Sequence, residues 1–280
     1  MTVAVVTDSA AALPAELVAR HQVTVVPMRL TVDGESVRDD ERDLDDFLAA
    51  GDVSTSGPNP AEFEEAIRSR PTDDGVIVLT IAGSMSSTYQ AAVVAARAVG
   101  DNVRVVDTLT AAGAEALVVL AAARAANAGA TLDDVEIAAK QVIEQVRLVA
   151  TVPSLDHLVR SGRVPNIAGW AGRRLGISPL FEFGGGKARP LRPALSFDAA
   201  LDRIIGLFRR SAPSDASAHV VALHAAAPDA AARLLQQVEA HAAPASAFVG
   251  TFGPVMVVHT GPGLVGLAWW WEDGGPSVVS

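Results

Sequence analysis

Cysteine is absent from this chain of 280 residues, which excludes disulfide bonds, thiolate zinc sites and cysteine nucleophiles. Basic blocks are absent too: 22 Lys and Arg stand against 32 Asp and Glu, so the net charge is −10 and we expect no nucleic-acid binding. No secretory signal is recognisable at the start, where the apolar run Val3–Val6 leads at once into polar residues. No uncharged apolar stretch reaches transmembrane length. We therefore expect a soluble, cytoplasmic protein without stable membrane insertion.

Several catalytic signatures are also missing. The sequence has no phosphate loop ending in Gly-Lys-Ser/Thr and no His-x-x-x-His pair, and the glycine-rich segment ending at Gly176 does not follow a strand, as a dinucleotide fingerprint would. Ser86, His259 and Asp8 are the residue types of a Ser-His-Asp triad, but no Gly-x-Ser-x-Gly elbow presents the serine. The acidic run Asp39–Asp46 suits a divalent cation or, as we favour, a solvated loop leading into a helix. We expect neither a metal ion nor a cofactor.

Apolar residues make up 50% of the chain, which is enough for a substantial core. In the first half, β-rich runs alternate with helical patterns, and this alternation predicts a parallel sheet covered on both faces. The predicted strands are 3–6, 24–31, 75–81 and 103–106, and the predicted helices are 14–20, 45–50, 60–68, 111–128 and 132–147. Ligands of such sheets bind beyond the carboxyl ends of the strands, where Asp8, Ser9, Ser84, Ser86 and Asp107 fall.

The pattern changes near residue 148, where short strands begin to follow one another through glycine turns, as in antiparallel sheets. The predicted strands are 147–152, 177–183, 189–195, 218–224, 245–251, 254–260 and 264–271, and the predicted helices are 197–210 and 228–241. We therefore predict an α/β protein of two domains. Residues 1–150 form a Rossmann-like domain with a parallel sheet, and residues 151–280 form an α/β domain with a mainly antiparallel sheet.

Residues 257–271 are the most informative segment. An apolar run leads into His259 and Thr260, a turn follows at Gly261-Pro262-Gly263, and a second apolar strand begins. One imidazole, one hydroxyl and accessible amides at a strand end suit a small anionic head group, while the apolar surroundings suit an apolar body. A strand histidine beside an ordinary hairpin turn accounts for the same residues, so this segment alone leaves both interpretations open.

A second segment combines a buried strand with a cluster of hydroxyl side chains. The run Val76–Ile81 leads through a loop into an alanine-rich helix, and hydroxyls crowd the start of that helix at Ser84, Ser86, Ser87 and Thr88. The N-terminus of a helix attracts carboxylate or phosphate through its free amides. Ordinary capping is the alternative, with a capping box formed by residues 87–90. Both interpretations stand.

Two further groups of polar residues are candidates for ligand contacts. Thr55 and Ser56 lie in a hydroxyl-rich turn, which also suits the approach to a helix whose N-cap is Asn59. Arg163 and Arg192 supply guanidinium groups, which bind carboxylates in a bidentate, charge-assisted way. Most arginines lie on protein surfaces, so neither position is decisive alone.

Taken in order along the chain, these segments resemble the DegV family of bacterial fatty-acid-binding proteins. The motifs that carry the resemblance are Thr7-Asp8-Ser9, Thr55-Ser56-x-Pro58, Met85-Ser-Ser-Thr-Tyr-Gln90, Val105-Val-Asp-Thr108, Leu158-x-x-Ser-Gly-Arg163, Ile177-Ser-Pro179, Arg192 and His259-Thr-Gly-Pro-Gly263. Three positions depart from the family pattern: Ser87 and Ser161 stand where glycine is frequent, and Gly57 stands where glutamine is common.

The resemblance implies a two-domain α/β protein that holds one long-chain fatty acid between its domains. It implies that the carboxylate is bound by Thr55, Ser56, Ser86, Arg192 and His259. It further implies a carrier rather than an enzyme, one that presents the acid to a separate ATP-dependent fatty acid kinase. The competing hypotheses are an enzyme, either a hydrolase using Ser86 or a small-polyol phosphotransferase, and a sensor whose lipid is purely structural.

Overall fold

Two large β-sheets and a small one organise the chain, as seen in a computed structural model that describes residues 2–41, 44, 47, 53–70, 74–164 and 177–273. The strands are β1 Ala4–Asp8, β2 Thr24–Val26, β3 Arg29–Val32, β4 Glu35–Arg38, β5 Val53–Ser56, β6 Val76–Thr80, β7 Val103–Asp107, β8 Arg147–Thr151, β9 Ser178–Gly184, β10 Lys187–Ala194, β11 Ser217–His224, β12 Ser246–Thr251 and β13 Val265–Glu272. The helices are α1 Ala15–His21, α2 Pro60–Arg68, α3 Thr88–Val99, α4 Ala112–Asn127, α5 Leu132–Gln145, α6 Asp156–Ser161, α7 Phe197–Arg210, α8 Pro228–Glu239 and α9 Pro254–Thr260.

The first sheet has the order β2-β1-β6-β7 and is parallel throughout, which confirms the predicted parallel sheet. The central strand β6 is buried along its whole length, as expected where helices cover both faces. Phe63 and Ile67 of α2, with Ala92 of α3, pack on one face. Helix α4 covers the other face. The carboxyl ends of β1, β6 and β7 therefore meet at one edge.

The predicted strand 24–31 is wrong, because the chain forms two strands there that belong to different sheets. Strand β2 pairs with β1, whereas β3 pairs with β4 and β5 in a small antiparallel sheet of order β4-β3-β5. The break falls at Pro27, whose ring removes a backbone donor, and the Met28 amide donates instead to Ser9 Oγ at 2.9 Å. The hairpin between β3 and β4 turns at Asp33-Gly34, both with positive φ. The helix predicted at 45–50 lies outside the described residues, apart from Phe47.

The second sheet has the order β10-β9-β8-β13-β11-β12 and is antiparallel except between β11 and β12, which confirms the mainly antiparallel prediction. Helices α7 and α8 cover its outer face, where Ile204, Leu234 and Trp269 are fully buried. Strand β8 belongs to this sheet, so the predicted boundary at residue 150 falls inside a strand. We propose that the division between the domains lies just before β8.

Helix α4 lies between the two large sheets and joins them into one core. It packs against β1 and β6 on one side and against β11 and β13 on the other, and it is buried almost from end to end. Half of its residues are alanine, which suits close packing on two sides. Gly113 marks the nearest approach, because a Cβ there would lie 2.9 Å from side-chain atoms of Val221 and Leu223.

The predicted strand 254–260 is also wrong, because the structure forms helix α9 there. Its valines favour a strand, but Pro254 occupies a position that suits a helix start and Gly261, at φ 75°, ends the helix. Burial of Val255 and Val257 outweighs their modest preference for strands. His259 therefore lies on a helix and not at the end of a strand. The remaining predicted elements within the described ranges are confirmed, with ends shifted by at most about two residues.

Candidate ligand-binding site

A cavity of about 430 Å³ opens where the carboxyl edge of the parallel sheet faces helices α6 and α9. We call it the head-group cavity. Its polar lining comes from the end of β5 and the following turn (55–57), the loop after β6 (83–87), Arg163 beyond α6, and His259 and Thr260 of α9. Four of the five predicted site residues thus meet in one place: Thr55, Ser56, Ser86 and His259.

Arg192, the fifth predicted site residue, lies elsewhere. It is exposed on β10 and is not among the described residues that line the head-group cavity. Its main-chain oxygen accepts a hydrogen bond from Arg203. Arg163 supplies the guanidinium group at the cavity instead. The Gly162-Arg163 pair was visible in the sequence, but only the packing of α6 against α9 shows which of the two arginines comes close.

Two residues that line the cavity are joined by a hydrogen bond of 2.7 Å between Thr55 Oγ1 and His259 Nε2. The two residues are 204 positions apart, one on β5 and one on α9, so this bond ties the small sheet to the C-terminal half. Burial, together with the positive charge of Arg163, lowers the pKa of His259 to about 4. The imidazole is therefore neutral near pH 7 and has one N–H to donate.

Ser86 and Thr88 form a second hydroxyl pair, with 2.7 Å between Ser86 Oγ and Thr88 Oγ1. The Thr88 amide also donates to Ser86 Oγ at 3.3 Å, so Ser86 provides an acceptor for the first amide of α3. The capping box that residues 87–90 offered as an alternative does not form: Ser87 has helical backbone angles and makes no side-chain capping bond. An N-cap needs extended backbone to turn its hydroxyl toward the helix.

The loop after β6 is held in place from two sides. The Gly83 amide donates to Asp107 Oδ2 at 3.1 Å. Ser84 Oγ donates to the oxygen of Gly186 at 2.7 Å, and the Gly186 amide donates to the oxygen of Leu109 at 2.7 Å. The tip of the β9–β10 hairpin is thereby fastened to the parallel-sheet domain beside the cavity. Asp107, predicted near the ligand, acts here as a support for the loop.

The residues of the hypothetical Ser-His-Asp triad are engaged elsewhere. Asp8 accepts hydrogen bonds from the amides of Ala10 and Ile81 at 3.0 and 2.9 Å, and burial raises its pKa to about 7. No hydrogen bond between two of Ser86, His259 and Asp8 occurs in the described part of the chain. In the acidic run, the described Asp39 accepts from Ser9 Oγ at 2.7 Å. Within the described ranges no group of three acidic or histidine side chains could hold a metal ion.

An apolar space continues inward from the head-group cavity, between the loop after β6 and the second sheet. We call it the apolar slot. It measures about 50 Å³, and Met85, Leu158, Met256 and Thr260 line both spaces. Its other described lining residues are apolar: Ala111, Ala112, Leu148, Ala150, Val164, Phe181, Phe183, Ala188, Leu223, Phe252 and Leu264. A polar opening thus leads into an apolar interior between the two sheets.

Family, sequence and structure comparisons all relate this chain to the DegV family or to proteins named for fatty acid binding. The family model for uncharacterised proteins of the DegV family matches residues 2–272. A DegV domain-containing protein of Mycobacterium tuberculosis is 35% identical, over 95% of this chain and 96% of its own length. The fatty acid-binding protein of Thermotoga maritima is 27% identical, over 95% of this chain and 96% of its own. The structure of a DegV family protein from Thermus thermophilus, described with its fatty acid binding, has a TM-score of 0.90 at 29% identity and covers 97% of this chain and 100% of its own.

Of the helices in the described ranges, none is both long and apolar enough to span a membrane.

Proposed function

This chain belongs to the DegV family, and from that premise we propose that it binds one long-chain fatty acid between its two domains. The carboxylate occupies the head-group cavity and the acyl chain enters the apolar slot. The observation that carries the proposal is the continuity of the two spaces through Met85, Leu158 and Met256. The relatives from Thermotoga maritima and Thermus thermophilus, both named for fatty acid binding, support this ligand class.

The energetics require both spaces. Each methylene moved from water into the slot contributes about 0.8 kcal/mol. The carboxylate must meanwhile find hydrogen bonds, since burying an unpaired charge would offset that gain. The slot, at about 50 Å³, is the smaller of the two spaces, against about 430 Å³ for the head-group cavity. Met85 and Met256 stand at its mouth, and methionine side chains adapt their shape at little cost.

Each polar residue has a defined role in this proposal. Thr55, Ser56 and Ser86 donate hydroxyl hydrogens to the carboxylate, and neutral His259 donates its single N–H. Arg163 provides the positive charge that the resemblance assigned to Arg192. The support for this exchange is position: Arg163 lines the cavity, whereas Arg192 is exposed on β10.

We further propose that the chain is a carrier that presents the bound carboxylate to a separate ATP-dependent fatty acid kinase. The head-group cavity supports this, because it is lined by the exposed residues Ser84 and Arg163 and so leaves the carboxylate near the surface. A phosphate loop is absent from the sequence, so the phosphodonor belongs to the partner. Such a partner would place both proteins in the cytoplasm.

Extraction and titration test the proposal. Organic extracts of the purified protein should contain about one long-chain fatty acid per chain by mass spectrometry. After delipidation, Ser86→Ala and His259→Ala should each weaken palmitate binding about 10- to 100-fold, the effect of losing one hydrogen bond to a charged group. The double variant should be less than additive, because both residues act on one carboxylate.

Matched controls are available on the exposed surface. Ser214→Ala and His241→Ala make the same chemical changes far from the cavity and should leave palmitate affinity unchanged. Wild-type affinity in both site variants would disprove the proposed site. Esterase or ATP-consuming activity that copurifies with the protein and disappears in Ser86→Ala would favour the enzyme hypothesis instead.

A further inference from the structure

A second cavity, of about 550 Å³, lies on the other side of the Thr55–His259 hydrogen bond. We call it the outer groove. Thr55, Arg163 and His259 line both it and the head-group cavity, so these three residues form the partition between the two spaces. Beyond the partition the outer groove is lined by His157 and Arg160. The two cavities therefore adjoin where the fatty acid carboxylate is proposed to lie.

The charge of the outer groove differs from that of the whole chain. The protein carries a net charge of −10, yet no acidic side chain is among the described residues lining the groove. Neither Arg160 nor Arg163 forms an ion pair with a described carboxylate, and the hydrogen bond of the Arg160 side chain goes to the main-chain oxygen of Asp156 at 3.4 Å. Within the described ranges, these two guanidinium groups thus have no carboxylate partner and keep their capacity for an external anion.

Local backbone geometry fixes this arrangement. Helix α6 ends at Gly162, whose φ of 64° reverses the chain between Arg160 and Arg163. The Arg163 amide donates to Ser161 Oγ at 3.2 Å, which braces the reversal. On the opposite side, Gly261 leaves room for the ring of His157, because a Cβ at that glycine would lie 2.5 Å from the imidazole. The basic side chains are therefore held by α6 and by the end of α9.

The two cavities suit two different anions. The polar groups of the head-group cavity are mostly hydroxyls, with one neutral imidazole and Arg163, and this set fits a monoanionic carboxylate. Two arginines and two histidines line the outer groove, and Arg160 and His157 belong to it alone, which fits a group with three oxygens and a double negative charge. We propose that the outer groove binds a phosphoryl group next to the carboxylate, with Arg163 reaching both and Arg160 specific to the phosphoryl side. This inference rests on the proposed function for the position of the carboxylate.

Arg160→Gln tests the inference, because Arg160 lines the outer groove and not the head-group cavity. Three ligands would be titrated by calorimetry: palmitate, inorganic phosphate added to the palmitate-loaded protein, and a long-chain acyl phosphonate that carries both groups on one molecule. Arg160→Gln should bind palmitate within twofold of wild type. Its affinity for phosphate and for the acyl phosphonate should fall about tenfold, equivalent to 1.4 kcal/mol. Arg97→Gln, an exposed arginine on α3, is the matched control and should change none of the three.

The outcomes separate the inference from the function on which it rests. Equal phosphate and phosphonate affinities in wild type and Arg160→Gln overturn the phosphoryl site, as does an equal loss in Arg97→Gln. A loss for phosphate alone supports the site and assigns it to the phosphodonor, whereas a loss for the phosphonate supports a phosphoryl group carried by the lipid. Wild type that fails to bind palmitate refutes the proposed function, and phosphate added to the lipid-free protein then still tests the groove.

Discussion

At Gly57, a substitution that adds one methyl group would place it directly against the hydroxyls of the head-group cavity. A Cβ built there would lie 2.5 Å from Thr88 Oγ1, 3.2 Å from Ser86 Oγ and 3.3 Å from the Thr88 nitrogen. Gly57 is not among the residues with positive φ, so alanine fits its backbone without strain. The effect of Gly57→Ala is therefore steric, and it falls on the Ser86–Thr88 hydroxyl pair, of which Ser86 is proposed to bind the carboxylate.

The expected magnitude follows from these contacts. Thr88 Oγ1 must retreat by about 1 Å to reach an ordinary separation. Thr88 is fully buried, and its branched side chain rotates only with difficulty. Overpacking of this kind costs about 1–3 kcal/mol, so we expect the free energy of unfolding to fall by that amount. Because Ser86 shares the contact, palmitate binding should weaken about tenfold in addition.

Urea unfolding followed by tryptophan fluorescence measures the first effect, and palmitate titration measures the second. Gly184→Ala is the matched control: its new methyl group would meet no atom within 4 Å, so its stability should change by less than about 0.5 kcal/mol. In a Thr88→Ala background the main clash is gone, so adding Gly57→Ala should cost at least about 1 kcal/mol less than in wild type. Strictly additive costs, or equal behaviour of the two glycine variants, would refute the reasoning.

Three other predictions concern charge and the fastening of the hairpin. Burial raises the pKa of Glu115 well above its usual value of 4.5, so the folded chain retains a proton that the unfolded chain releases. Glu115 then lowers stability by up to about 1.4 kcal/mol per pH unit above pH 4.5, and Glu115→Gln should remove this share of the slope in urea unfolding between pH 5 and 7, while the raised pKa values of Asp8 and Asp39 keep the rest. Ser84→Ala should speed amide exchange at the tip of the β9–β10 hairpin, measured by mass spectrometry; unchanged protection would show that its hydrogen bond does not hold the tip. In the lipid-free protein the imidazole of His259 should titrate near pH 4 by NMR, which means that stability is lost as pH falls from 6.5 toward 4. Arg163→Gln should raise that pKa and Arg192→Gln should not, and the reverse result would restore Arg192 to the site.

Local signals explain the elements that the sequence predicted well. Strand β6 is an unbroken apolar run, and it is the fully buried centre of the parallel sheet. Helix α2 begins where Asn59 suggests: its side chain caps the Glu62 amide, and Glu62 caps the Asn59 amide in return. Such signals lie within a few residues of each other, so they need no knowledge of the rest of the chain.

The errors occur where distant packing decides the outcome. The run at 254–260 is rich in valine, but α9 is buried against α6 and the small sheet, and this packing favours a helix. The single predicted strand at 24–31 failed because the small antiparallel sheet was missed, although Asp33-Gly34 is a strong hairpin signal. The choice between Arg163 and Arg192 likewise depends on whether the end of α6 or strand β10 faces the cavity, and spacing along the chain contains no such information.

The hydrogen bonds of the head-group cavity suggest how affinity is divided between head group and chain. Thr55 and His259 already bond to each other, and so do Ser86 and Thr88. A carboxylate that enters must replace these bonds rather than fill empty sites, so each new hydrogen bond yields a small net gain, although removing one donor costs more because it leaves the buried charge short of a partner. The acyl chain replaces no hydrogen bonds when it enters, because the lining of the slot is apolar apart from Thr260. In the proposed complex the slot therefore supplies most of the affinity, while the residues that separate the two cavities determine which end of the lipid lies at the surface, beside the arginines of the outer groove.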